Sequence, residues 1–343
     1  MIRRIGGKRL RRAAAVLLVL LVIPGTWWRT TVTRGDVDDL RLIAVHDFYD
    51  DTQGDFQVTG VWQVVSDDLM FGGYSALLLE DGGRMLTFSD RGRRLSFSGP
   101  DVPPGESTIA DQRPDAGMEQ RLWDIESATR DPATGTFWLG YEGEHGAQRY
   151  TADGQPDGHV LLPDFGWDQN GGAESMVRLA DGRFVLLPES ESQMYFFAGD
   201  PVAGGEPTTI PVEWPESGYS PTDAAQLPDG RLLVLMRRVV VDLPPTFDSI
   251  LVVGDLPAEG ETWQPDLALT LHDTVPRDNY EGMAVRPLQD GRAEVWLISD
   301  DNFSAFQRTL LVRIAMAPAE PEGAQQKARE DRSPRAFSRA SAG

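Results

Sequence analysis

The sequence predicts an all-β protein built as a β-propeller. Two observations predict it: a hairpin pattern that recurs at a nearly constant spacing, and the want of any long segment with helical apolar periodicity in the body of the chain. Five segments share one form: 75–90, 126–142, 174–189, 223–237 and 281–300. Each opens on a polar or acidic residue, runs through a short apolar strand, turns at glycine, runs back through a second apolar strand, and ends polar. Asp-Gly between two apolar runs is a strong short-range hairpin signal. Successive starts lie 51, 48, 49 and 58 residues apart. A period near fifty with two regular strands per unit reads as a propeller blade whose other two strands vary more.

Ring closure sets the blade count. The stretches 40–75 and 281–318 together exceed what one blade needs, so six blades are favoured, with five as the alternative. Leu40–Phe48 and Thr309–Met316 are expected to pair and join the ends, and the connectors after Phe97 and Val240 to hold further strands.

The chain has 343 residues, with 35 glycines and 24 prolines to supply its turns, and 41 % hydrophobic residues, enough for a packed core. Its formal charge is −21 and is unevenly spread. Residues 1–34 hold eight basic residues and no acid, whereas 35–318 hold 19 basic and 49 acidic residues, net −30. A body this acidic repels nucleic-acid phosphate and suits cations, Ca²⁺ among them. There is no cysteine, which excludes disulfides, thiolate metal sites and a cysteine nucleophile.

The N-terminal basic run followed by apolar Ala13–Ile23 has the form of an export signal. Residues 1–34 read as a cleaved signal peptide or an uncleaved membrane anchor, and either places the body, 35–318, in the periplasm or outside the cell. That segment is the only expected membrane contact. Residues 319–343, rich in Ala, Pro, Ser and charge, read as a disordered tail.

Each pair of hairpin ends straddles its turn, so the pairs Ser75/Asp90, Glu126/Glu142, Glu174/Glu189, Asp223/Arg237 and Glu281/Asp300 are expected side by side at one mouth of the central channel. Three of these pairs are purely acidic. Asp124, Asp301 and Asn302 lie close by in sequence. Such repulsion needs a hard cation, a basic residue, a shared proton or solvent screening. Arg237 is the expected counter-ion of Asp223, with Arg91, Arg121 and Arg238 as others. Asp90, Asp124, Glu126, Glu142, Glu174, Glu189, Asp223, Glu281, Asp300 and Asn302 form the candidate oxygen set for Ca²⁺. The bland reading is that such residues cap strand ends.

At these residues the chain resembles the phytase-like family, known as "esterase-like activity of phytase". The likeness rests on Gly72-Gly73-Tyr74-Ser75 with Ser89-Asp90-Arg91, Asp124-Ile125-Glu126 with Tyr141-Glu142-Gly143, and Asn170 to Glu174 with Pro188-Glu189. It continues through Leu227 to Arg237, and through Asn279-Tyr280-Glu281-Gly282 with Ser299 to Ser304. It spans about 40–316. The chain departs from the family at Met236, where Glu is usual, and at Ala76-Leu77 and Ser175-Met176. The resemblance implies an exported propeller hydrolase acting on phosphate or other esters, with Ca²⁺ as a candidate cofactor and a small-molecule substrate.

No Gly-x-Ser-x-Gly elbow and no His-Glu-x-x-His occur, and His46, His145, His159 and His272 are scattered as loop or surface residues. Metal-assisted hydrolysis therefore fits better than a serine triad. Glu126, Glu174 and Glu281 are candidate ligands or bases, and Arg237 and Arg308 candidate anchors for an anionic substrate. Two other readings stand beside it: a non-catalytic envelope propeller used for binding or scaffolding, and a metal-dependent lactonase.

Overall fold

The computed structural model of the protein describes residues 39–49, 52–112, 124–142, 145–163, 165–167, 172, 174–189, 191–242, 245–258, 260–304 and 306–318. The expected signal or anchor (1–34) and tail (319–343) lie outside them. Among the described residues there is no α-helix, and no helix long and apolar enough to cross a membrane.

The chain enters through β1 (Arg41–Ala44), β2 (Thr52–Gln53) and β3 (Phe56–Val65). Four antiparallel four-stranded sheets follow. Blade 1 is β4 (Tyr74–Leu79), β5 (Arg84–Ser89), β6 (Arg93–Ser98) and β7 (Thr108–Asp111). Blade 2 is β8 (Ile125–Arg130), β9 (Phe137–Tyr141), β10 (Gly146–Tyr150) and β11 (Pro156–Leu161). Blade 3 is β12 (Ser175–Arg178), β13 (Phe184–Leu187), β14 (Gln193–Phe197) and β15 (Thr208–Pro211). Blade 4 is β16 (Ser220–Gln226), β17 (Leu232–Val240), β18 (Thr246–Gly254) and β19 (Asp266–Thr270). Blade 5 is β20 (Asn279–Pro287), β21 (Ala293–Asp300) and β22 (Leu310–Met316), completed by β3 from the N-terminal side.

The propeller has five blades, not six. The innermost strands touch in a closed ring, β4 to β8, β12, β16, β20 and back to β4. Five apolar cores, one at each blade interface, tell the same story. The core holding Tyr74, Leu77 and Leu95 of blade 1 with Trp296, Ile298 and Leu311 of blade 5 closes the circle. The surplus residues that favoured a sixth blade are spent inside the fifth. Phe56–Val65 is an apolar ten-residue strand that buries Phe56, Val58 and Val61, and it takes the place beside β22. Leu40–Phe48 therefore does not pair with Thr309–Met316. Its mostly exposed strand β1 lies outside β3 instead, with Arg41 opposite Val65. The connectors after Phe97 and Val240 do hold strands, β7 and β18.

The hairpins form where expected. In the Asp181-Gly182 and Asp229-Gly230 turns, glycine takes φ of 90° and 94°, a region L-residues seldom adopt. The aspartates add a local hydrogen bond, Asp181 Oδ1 accepting from Arg183 N at 3.0 Å and Asp229 Oδ1 from Arg231 N at 3.1 Å.

Candidate functional site: a two-tier charged ring at one channel mouth

Register decides what meets at the mouth. In four blades the innermost strand carries a β-bulge near its start, between Tyr74 and Ala76, Ile125 and Ser127, Pro221 and Asp223, and Tyr280 and Gly282. The extra residues are Ser75, Glu126, Thr222 and Glu281. In blade 3, Glu174 stands just before the first paired residue, Ser175, in the matching place. A bulge re-aims a side chain that would otherwise lie in the sheet face. These five residues form an inner tier.

The second strand of each blade carries an outer tier: Arg237 and Asp300 at the last innermost-strand pair, Asp90 and Glu142 one residue past it, and Glu189 two past it. The bulges also overturn the simple pairings. Tyr74 lies opposite Ser89, Ile125 opposite Tyr141, Ser220 opposite Arg237 and Asn279 opposite Asp300, while Ser175 faces Leu187. Ser75/Asp90, Glu126/Glu142, Glu174/Glu189, Asp223/Arg237 and Glu281/Asp300 are thus not direct cross-strand partners. Each extra residue slips the register by one, and in blade 3, which has no bulge, the turn itself offsets the pairing by one; averaging about a turn sees neither.

The tiers converge electrostatically. Burial, reinforced by the charges of Glu174, Glu281 and Asp124, pushes the Glu126 carboxyl well above the ordinary range. Burial, Glu189, Glu142 and Glu281 do the same to Glu174, against the opposing charge of Arg237. Burial and then Asp124 and Glu189 raise Glu142 to about 7, and burial and then Glu281 raise Asp300 to about 8. Asp90 is raised to about 6 by burial, with Asp124, Glu281 and Asp301 adding to it and Arg91 opposing. The carboxyls of Glu126 and Glu142 both hydrogen-bond to that of Asp124. Carboxyls so arranged share protons or a cation.

Arg237 stands where the other four blades present a carboxylate. Its guanidinium donates to Asn279 Oδ1 and Glu281 Oε1 and lies 3.7 Å from Glu189 Oε1. Burial opposes its charge, but Glu281, Glu189, Glu174 and Glu126 outweigh that and hold it protonated. Asn279 Nδ2 donates to Glu281 Oε1 at 2.8 Å, so both polar ends of the amide are used. Asn279 was not among the candidate residues. The Asn-x-Glu spacing was its sequence signal.

Asp223 sits apart from this network. Fully buried, it accepts from Ala224 N at 2.8 Å and, across the blade interface, from Met283 N at 2.7 Å. Thr222 occupies the inner-tier place, and the counter-ion role expected of Arg237 goes to Glu281. Arg91 stacks on Phe303, 3.4 Å from the ring centroid, and Arg238 pairs with Asp248; Arg121 lies outside the described residues. Asn302, exposed and at φ 47°, donates its backbone N–H to Asp300 Oδ1 at 2.7 Å. Asp301 latches blade 5 to blade 1, its Oδ1 accepting from Gly73 N and Phe303 N, each at 3.0 Å. Arg308 pairs with buried Asp278 at 3.2 Å, away from the ring carboxylates.

The donor set suits a hard cation. Asp124, Glu126 and Glu142 each offer a carboxylate oxygen, all within 4.8 Å of one another. Asp90 Oδ1 is buried without a hydrogen-bond partner. Oxygen-only ligands fit Ca²⁺ or a similar ion.

The sequence pattern of the Phytase-like family, described as esterase-like activity of phytase, matches residues 70–303. The chain belongs to this family. The matched span runs from the blade 1 entry to the Asp301 latch and so takes in both tiers. No curated protein matches the chain. Among solved structures it is similar to the mannose phosphorylase MPT-4 from Leishmania mexicana, at 12 % identity and TM-score 0.43, over 80 % of this chain and 89 % of that one. It is also similar to the PQQ-bound aldose sugar dehydrogenase from Streptomyces coelicolor, at 11 % identity and TM-score 0.41, over 82 % and 100 %. A protein of unknown function from Bacteroides caccae matches at 13 % identity and TM-score 0.40, over 70 % and 81 %. Likenesses this weak say nothing about chemistry.

Proposed function

We propose that this phytase-like propeller is an exported, cation-assisted ester hydrolase whose reaction takes place at the two-tier ring. Family membership points to esterase-like activity. The observation that carries the finer reading is the close approach of Asp124, Glu126 and Glu142 in the field of the half-buried Arg237. The basic and then apolar N-terminal run supports export.

Asp124, Glu126 and Glu142 would hold Ca²⁺, with Asp90 and Asp300 alongside. When bound, the ion supplies Lewis-acid polarisation of the substrate's carbonyl or phosphoryl oxygen and acidifies water. Glu174, 6 % exposed and with its pKa pushed up by burial, is the base that accepts the proton of the attacking water. Arg237, fixed by Asn279 and Glu281, presents its remaining N–H groups to the charge that develops on the substrate oxygens. Glu281 acts through Arg237 by holding it in place.

The test pairs activity with stability. Purified protein is screened against aryl esters, phosphomonoesters and lactones with Ca²⁺ and with chelator. Turnover that needs Ca²⁺ is expected, and its absence for every class would leave a non-catalytic propeller. Glu174→Gln should abolish turnover. Without cation it should be neutral or stabilising, because it removes repulsion from Glu189 and Glu142. Glu126→Gln, at a ligand, should with cation weaken the stabilisation Ca²⁺ confers, about 2.7 kcal/mol at a hundredfold excess over Kd. The same stability change in both conditions would refute the cation.

A further inference from the structure

We propose that the outer end of the β17–β18 hairpin is an apolar subsite for the non-reacting alkyl or aryl group of the substrate, an inference that rests on the ester-hydrolase reading. Blade 4 differs from blades 1 and 2 at the mouth. In blade 1, β5 and β6 part at Ser89 opposite Arg93, level with Asp90; in blade 2, β9 and β10 part at Tyr141 opposite Gly146, level with Glu142. In blade 4 the pairing continues past Arg237 for three more pairs, Arg238 with Asp248, Val239 with Phe247 and Val240 with Thr246. The hairpin therefore projects beyond the charged ring.

Its two faces differ in chemistry. Side chains alternate along a strand, so Val239 shares a face with Arg237, and directly opposed residues share a face too, which adds Phe247. The Arg237 guanidinium lies 5.6 Å from the Phe247 ring centroid, so this apolar face is continuous with the ring. Val239 is 61 % exposed, and Val241, at the strand's end, 96 %. The other face is pinned. Arg238 packs over the Tyr219 ring at 4.6 Å and pairs with buried Asp248 at 2.9 Å, and Arg277 reaches the same carboxylate at 3.2 Å. Val239 is thus held out on a braced strand, with Val241 one residue past its end. At the same mouth the other second strands carry the polar carboxyl groups Asp90, Glu142, Glu189 and Asp300, which offer an alkyl or aryl substituent no apolar wall. Blade 4 offers a strand-built wall on which a substrate's apolar arm can lie while its ester meets Arg237 and the carboxylates; among the described residues blade 5 also exposes an apolar side chain past Asp300, Phe306, but on a loop. The substrate class is then an ester with a hydrophobic substituent, rather than a polyanion.

Binding and turnover test this separately. Calorimetry of the Ca²⁺-loaded full chain with methylphosphonate and hexylphosphonate, unreactive mimics of the tetrahedral species, reads the wall directly. Half-covering each methylene gives roughly twofold tighter binding per methylene, or about thirtyfold across the pair. The exposed-site variants Val239→Ser and Val241→Ser should flatten that gain and leave methylphosphonate affinity unchanged. A steep series without turnover of any ester would keep the subsite and sink the hydrolase. Turnover with a flat phosphonate series would sink the subsite and keep the hydrolase. A steep series that survives both substitutions, or variants that alter only the sedimentation coefficient, would also overturn the wall.

Discussion

Asp300→Asn isolates what burial does to a carboxylate in this ring. Asp300 is 4 % exposed, and its pKa rises from 3.8 to about 8 through burial and then the charge of Glu281. In the unfolded chain it ionises near the ordinary value. Between these two pKa values the folded state binds the extra proton, so stability of the cation-free protein falls as pH rises. The slope is at most about 1.4 kcal/mol per pH unit, and the full shift amounts to roughly 6 kcal/mol lost once pH exceeds about 8. Asparagine cannot ionise, yet its carbonyl can still accept from Asn302 N. Urea unfolding of chelator-stripped protein across the acid-to-alkaline range is the assay. The variant should gain on the wild type steadily between about pH 4 and pH 8 and hold a constant lead above it. Glu142, raised to about 7, adds pH dependence common to both proteins and cancels in the difference, whereas Asp90, whose charge helps raise Asp300, titrates lower in the variant and adds to it. With saturating Ca²⁺ the order should invert at high pH, because ligation requires the ionised acid. A stability difference that does not change with pH would refute the claim that Asp300 is held protonated by its surroundings.

Two other substitutions separate the ring from its scaffold. Arg237→Gln leaves Glu281 and Glu189 without their counter-charge and should cost about 3–5 kcal/mol in cation-free protein, less at acid pH where the ring takes up protons. Thermal melts at acid and alkaline pH check this, and an equal loss at both would show that Arg237 matters only for packing. Asp223→Ala strands Ala224 N and Met283 N and should cost about 1–3 kcal/mol while leaving the Ca²⁺ isotherm unchanged. A loss of Ca²⁺ affinity there would place Asp223 in the site after all.

Much of the site was legible because two rules act over short range. An Asp-Gly turn between apolar runs makes a hairpin whatever surrounds it, and polar residues at both hairpin ends must then share one end of the unit. That is why Asp90, Glu126, Glu142, Glu174, Glu189, Arg237, Glu281 and Asp300 could be assembled from spacing alone. Thr222 was hidden by its neighbour. Spacing chose Asp223 as the blade 4 counterpart of Glu126 and Glu281, and a one-residue bulge at Thr222 moved the carboxylate off the mouth and into the blade interface.

The sequence by itself determined the local and periodic features: the five hairpins, their turn glycines, the acidic body and the end of each hairpin that carries charge. Only the tertiary structure decided how the ring closes, how each strand is registered, and which carboxylates Arg237 neutralises. Closure depends on whether Phe56–Val65 gains more by packing beside β22 than by founding a sixth blade, a comparison between surfaces remote in sequence. The bulges depend on fitting five innermost strands around one axis, and Arg237 reaches Glu189 in blade 3 and Glu281 in blade 5 only because both flank blade 4 once the ring is shut.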